Sequence, residues 1–365
     1  MMAWLQALRA HFLSGVLLYV MTGVMGVQAA QDARAVRDLQ LSVGYRVIDL
    51  PSTGGMASLT VAVWYPTSAR PAPYGYGGPT RGDVAYDGLP LTQHGPYPML
   101  VFSHGYGGGG LSAVFFAQAL AARGWIVACP DHHDRHSAVR IRSAQVADFS
   151  RLGLLRHAAE IAATEPKDRA PYAYRFDELQ RTIDGMLTSK VFGPLIDAQR
   201  LALGGHSFGG FTALGLSGTI AQRHEVRAKA LLLFSTGTGG RLFSAQELAT
   251  VKIPAMVFVG QREREQKRGD QTMAQIADKI YTHVAGPKYL LELKDASHFS
   301  FNNRFSDTPM ARRMSGTPEQ FEVISRYAVA FLEKYVAQRS GTEAVLAQRD
   351  TQLVRYWVQD SPIAD

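Results

Sequence analysis

The chain has 365 residues, 46% of them apolar and 19% charged, with a formal net charge of +7. That balance excludes a disordered or fibrous chain and supplies apolar material for a sizeable core. The basic residues are dispersed, with one mild cluster at 135–142, and no nucleic-acid-binding motif accompanies them, so the charge reads as a solvated surface.

The first segment stands apart. Arg9 is the only Lys or Arg before Arg34, residues 12–27 are nearly all apolar or small, and Val27-Gln28-Ala29 offers a site to a signal peptidase. Residues 1–29 therefore read as a secretory signal peptide. This predicts an exported protein, periplasmic or secreted, with no stable membrane span after cleavage. The alternative is a retained N-terminal anchor, for which the apolar run is short. Cys129 is the only cysteine, so no intramolecular disulfide supports the fold. Its place in the apolar run 125–129 makes it a buried small hydrophobe.

Residues 41–50 and 59–65 read as strands. The turn Ser52-Thr53-Gly54-Gly55 lies between them, which predicts an antiparallel pair. The Gly-, Pro- and Tyr-rich stretch 67–96 has no helical period and predicts a long surface loop, with Tyr74, Tyr76 and Tyr86 available to shape a pocket. Beyond it strands and helices alternate. Residues 99–102 form a strand, a glycine run follows, and 111–123 is an amphipathic helix that Gly124 can close. Residues 125–129 are the next buried strand. The polar, basic stretch 132–171, helical around 146–163, breaks the rhythm and predicts an inserted cap. Phe176, Leu179, Ile183 and Met186 then share one helical face. Further strands are expected at 201–203, 229–234, 255–259 and 289–293. Thr317-Pro318-Glu319-Gln320 combines an N-cap, a first-turn proline and a capping box. The fold class is α/β, a mostly parallel sheet covered by helices on both faces.

Chemistry concentrates at a few points. Gly205-His206-Ser207-Phe208-Gly209 spells G-x-S-x-G between a short apolar strand and a helix. A serine on so tight a turn needs small residues two positions to either side, and the turn exposes its oxygen at a helix N-terminus. Ser207 is the candidate nucleophile; the bland alternative is a Gly-rich turn whose serine caps a helix. Ser103-His104-Gly105-Tyr106-Gly107 follows an early strand and is the candidate oxyanion loop. Its donors would be the Tyr106 and Phe208 amides, with His104 holding the loop. Gly105, Gly107 and Gly110, with Asp131 ending the next strand, also spell a dinucleotide fingerprint. Two strands and a long loop precede that fingerprint, and it gives Ser207 no role.

His298 follows the last strand and is the candidate base; His283 lies in a helical stretch and is weaker. Glu263, with Glu265 in reserve, follows the strand before and is the candidate acid. Asp295 lies too close to His298 in a short loop, and Ser235-Thr236-Gly237 supplies no acid. His132, His133, Asp134 and His136 lack a second ligand group at metal-site spacing, so neither a metal nor a cofactor is expected.

These residues together resemble the α/β-hydrolase fold. More narrowly, the chain resembles the bacterial predicted dienelactone hydrolases related to platelet-activating factor acetylhydrolases. The matching stretches are Val101-Phe102-Ser103-His104-Gly105, Ala128-Cys129-Pro130-Asp131-His132, Gly205-His206-Ser207-Phe208-Gly209-Gly210 and Ala296-Ser297-His298-Phe299. Tyr106 and the last stretch are also similar to cutinase-like polyesterases. The resemblance, over about 43–336, implies hydrolysis of a small-molecule or lipid-like ester through an acyl-enzyme. Ser207 would attack, His298 would shuttle the proton, and the Tyr106 and Phe208 amides would hold the oxyanion. Relatives carry Asp where Glu263 stands, and the acid that acetylhydrolases carry after the preceding strand is missing. Dienelactone hydrolases proper use a cysteine nucleophile, so Ser207 argues against that activity. Residues 30–340 are then the catalytic domain, with the cap at 132–171 and a C-terminal helical extension at 341–365. The competing class is an inactive hydrolase-fold binding protein, against which stand candidates for all three triad roles.

Overall fold

The structure, a computed structural model, describes residues 40–142, 150–268, 270–313 and 315–360. The expected signal peptide at 1–29, and the part of the expected cap at 143–149, lie outside them. Among the described residues eleven strands join in one sheet: β1 (Ser42–Leu50), β2 (Leu59–Thr67), β3 (Ala72–Gly77), β4 (Thr80–Tyr86), β5 (Tyr97–Ser103), β6 (Ile126–Pro130), β7 (Ile196–His206), β8 (Ala228–Phe234), β9 (Ala255–Gly260), β10 (Lys288–Leu293) and β11 (Leu353–Gln359). Their order is β11-β10-β9-β8-β7-β5-β6-β2-β1-β4-β3. The six strands from β10 to β6 in that order run parallel, flanked by antiparallel β11 and β2.

Central strands read as unbroken apolar runs because both faces are covered. Alternate residues then divide between two cores. Leu100, Phe102, Leu232, Phe234, Met256 and Phe258 face one core with helices α1 (Val114–Ala121) and α6 (Pro318–Leu332). Met99, Val101, Leu231, Leu233 and Val257 face the other, with α3 (Tyr174–Thr188), α4 (Phe208–Leu214) and α5 (Met273–His283). Between α1 and α3 lies α2 (Arg151–Ala163). The capping box expected before α6 is present: the Thr317 hydroxyl accepts from the Gln320 amide, and the Gln320 side chain accepts from the Thr317 amide.

Two sequence expectations are corrected. Residues 67–96 are not a long loop: they carry the hairpin β3–β4, and β4 pairs in parallel with β1. Glycines hide the strand pattern in the sequence, while the tyrosines hold the hairpin. Tyr74 stacks on Tyr86, and Tyr45 lies against Trp64, Tyr74 and Tyr76. The Trp64 indole N–H donates to the Tyr76 hydroxyl at 2.9 Å. This cluster belongs to the β3 edge of the sheet, away from Ser207. Nor do residues 341–360, the described part of the expected C-terminal helical extension, form one. One helical turn, Glu343–Leu346, precedes β11, which pairs along β10 and covers its open edge. No helix among the described residues is long and apolar enough to cross a membrane.

Candidate active site

Parallel strands deliver their carboxyl ends to one rim of the sheet, where ligands bind in open α/β folds. Ser207 follows β7, Ser235 follows β8, Glu263 follows β9 and His298 follows β10, four neighbours in sheet order. Ser207 has φ 54 and ψ −122, a strained conformation for a residue with a side chain, and it heads α4. The flanking glycines are sterically required. A Cβ on Gly205 would lie 2.3 Å from the Gly209 carbonyl oxygen, and one on Gly209 only 1.9 Å from that of Ser103. The G-x-S-x-G spacing thus permits both the turn and the close approach of the β5 loop.

His298 opens the turn His298–Phe301 and is buried. Its Nε2 lies 2.8 Å from Ser207 Oγ. Its Nδ1 lies 2.5 Å from Ser235 Oγ, which in turn donates to Glu263 Oε2 at 2.8 Å. Glu263 is fully buried, and its Oε1 accepts the Gly260 amide at 3.1 Å. Glu265 is exposed, so the structure favours the first of the two candidate acids by position. Asp295 is exposed, with its amide donating to the Gln261 side chain, and His283 bonds the Lys279 carbonyl on its own helix. Sequence reasoning missed Ser235. A serine after β8 carries no acidic signature, and only the tertiary arrangement sets its hydroxyl between His298 and Glu263.

A second histidine steadies the first. His206, buried beside Ser207, meets the His298 carbonyl with Nε2 at 2.9 Å. The carbonyl can only accept, so His206 carries its proton on Nε2. Burial lowers its pKa from 6.5 to about 4, and the ring is neutral near pH 7.

The β5 loop lies against Ser207: a Cβ on Gly105 would sit 3.0 Å from Ser207 Cβ. Beneath it is a buried polar network. His104 Nδ1 meets the Gly105 carbonyl at 2.7 Å while its Nε2 accepts the His132 amide at 3.0 Å, so His104 holds the loop as expected. His132 meets Ser103 Oγ with Nε2 at 2.7 Å and Glu178 with Nδ1 at 2.8 Å. Arg175 donates to the His104 carbonyl at 2.9 Å and forms a two-pronged pair with Asp134, both side chains fully buried. Burial holds His104 and His132 below their ordinary values. Burial would raise Glu178, yet the hydrogen bonds from His132 and His133 bring it below the usual carboxylate range. Arg175 likewise overrides the burial of Asp134 and lowers it. His132 and Asp134, which the sequence places at the start of a cap, are therefore interior supports of the loop.

Asp131, the acid of the dinucleotide fingerprint, accepts from the Gly110 and Ile141 amides and is buried. It faces the backbone rather than a ribose site. Above the loop, the Tyr106 hydroxyl meets His157 Nδ1 on α2 at 2.5 Å, and Leu154 of α2 lies close over Gly107.

The chain is similar to known proteins in sequence and in fold. Residues 76–151 match the profile of the family described as platelet-activating factor acetylhydrolase, isoform II. The chain is 23% identical over 234 residues to Lipase 1 of Moraxella sp. (strain TA144), covering 64% of this chain and 61% of the lipase. The match thus spans less than two thirds of that relative. A ferulic acid esterase from Streptomyces cinnamoneus has a similar structure, with a TM-score of 0.65 at 18% identity, covering 86% of this chain and 97% of the esterase. The fold is the α/β-hydrolase fold, as the sequence led us to expect.

Proposed function

We propose that this chain hydrolyses carboxylic esters, with Ser207 as nucleophile and an acyl-enzyme intermediate. One observation carries the reading: Ser207 Oγ lies 2.8 Å from His298 Nε2, whose opposite nitrogen is held by a buried group that includes Glu263. This is the geometry of an activated nucleophile, in which a base is itself oriented by a third group. The similarity to an acetylhydrolase profile, a lipase and a ferulic acid esterase supports ester hydrolysis as the reaction class.

In the reaction, His298 Nε2 takes the hydroxyl proton as Ser207 Oγ adds to the ester carbonyl carbon. The oxyanion is received by the amides of Phe208, at the head of α4, and of Tyr106, in the loop braced by His104 and Arg175. His298 then gives the proton to the departing alkoxide, leaving Ser207 acylated. Water, deprotonated by the same nitrogen, attacks the acyl carbonyl; the acid leaves and Ser207 regains its proton. Glu263 holds the imidazolium throughout. The substrate is a small-molecule or lipid-like ester. The composition of residues 1–29 supports export, to a periplasm or beyond.

A tagged fluorophosphonate should label the mature protein at Ser207, and Ser207→Ala should abolish both labelling and turnover of p-nitrophenyl acetate, butyrate and decanoate. Folded protein that neither labels nor turns over any of the three esters would sink the proposal and bring forward the inactive binding protein.

A further inference from the structure

Resting on that reading, we infer that Ser235 is a positioning residue of the catalytic group: its hydroxyl selects the working tautomer of His298 and couples the ring to Glu263. Ser235 is 1% exposed, and its φ of 42 places it in the left-handed region, uncommon for a residue other than glycine. That backbone directs the hydroxyl to two partners at once, Glu263 Oε2 at 2.8 Å and His298 Nδ1 at 2.5 Å.

A serine hydroxyl has one proton to give. The Glu263 carboxylate can only accept, so it takes that proton. The Ser235 oxygen must then accept at its other contact, which requires the proton of neutral His298 to sit on Nδ1. Nε2 is left with its lone pair toward Ser207 Oγ, the state a general base needs. As His298 becomes imidazolium, the Nδ1–H···O contact strengthens and the oxygen that receives it is already polarised by Glu263. Two residues reached from different strands, β8 and β9, thus orient one ring. The sequence offers no acid after β8; a hydroxyl there contributes orientation without a second buried negative charge, which Glu263 at 2.8 Å would oppose.

The test compares wild type, Ser235→Gly and Ser235→Ala. Glycine suits the positive φ, so it removes the hydroxyl while relieving the backbone; a retained melting temperature verifies folding. Both variants should lose about 10- to 100-fold in kcat on p-nitrophenyl butyrate with little change in KM. The acidic limb of kcat/KM should move about 0.5–1 pH unit lower, because losing an acceptor for Nδ1–H disfavours the imidazolium. The far-downfield proton resonance of His298 Nδ1–H should move upfield. Variants that keep kcat within about twofold, or lose rate while the pH limb and the Nδ1–H resonance stay in place, would overturn the positioning role. In either case wild-type labelling at Ser207 reports separately on the esterase reading. An unlabelled, inactive wild type overturns that reading and this one together.

Discussion

Acid should weaken the fold at His206 before it reaches most carboxylates. The ring is 3% exposed, and burial lowers it from 6.5 to about 4. Between those values the unfolded chain binds a proton at this position that the folded protein does not, so stability rises with pH across the window and is lost on acidification. Carried from pH 7 to pH 4, the difference amounts to about 3 kcal/mol, a large share of an ordinary domain's stability. His206→Gln provides the comparison, since its amide does not titrate and its N–H can still reach the His298 carbonyl. Urea unfolding followed by tryptophan fluorescence reports the effect, because Trp64 and Trp125 are fully buried. Wild type should lose about 3 kcal/mol more than His206→Gln between pH 7 and pH 4. Equal losses would refute the assignment of His206 as a buried neutral ring.

Two further substitutions test the supports of the site. Gly209→Ala should lower stability by about 1–3 kcal/mol and cut probe labelling at Ser207, since its Cβ would meet the Ser103 carbonyl oxygen at 1.9 Å; a variant that melts and labels like wild type would show that the β5 loop can yield. Arg175→Met should cost about 3–5 kcal/mol by leaving Asp134 buried with its charge uncompensated, and adding Asp134→Leu should recover most of that loss. A double variant no more stable than the single one, measured by denaturant unfolding, would contradict the pairing.

The turn at Ser207 and the place of His298 after a strand were legible because their signals are local. The glycines around Ser207 are demanded by contacts within the same turn, and His298 stands directly after a strongly apolar strand. The candidate acid was half legible: both Glu263 and Glu265 follow β9, and only burial distinguishes them. Ser235, Arg175 and Glu178 left no readable mark, since each acquires its role from partners distant in sequence. The apolar face of α3 was visible in its periodicity, but the charged residues it carries inward were not. Strand β11 was hidden for a related reason. Its burial does not alternate along Leu353–Gln359, and its warrant is the uncovered edge of β10, which no local pattern announces.

That edge strand bears on how the molecule reaches its folded state. β1 and β2 are joined by a short turn and can pair as soon as both exist, whereas β10 must wait for a partner far downstream. Until β11 arrives, β10 presents a row of unsatisfied backbone groups and the buried carboxylate of Glu292 lacks the guanidinium of Arg355. Strand β11 thus seals the sheet on the side next to Glu263 and His298. A chain in which β11 failed to dock would expose a strand on which another copy could pair.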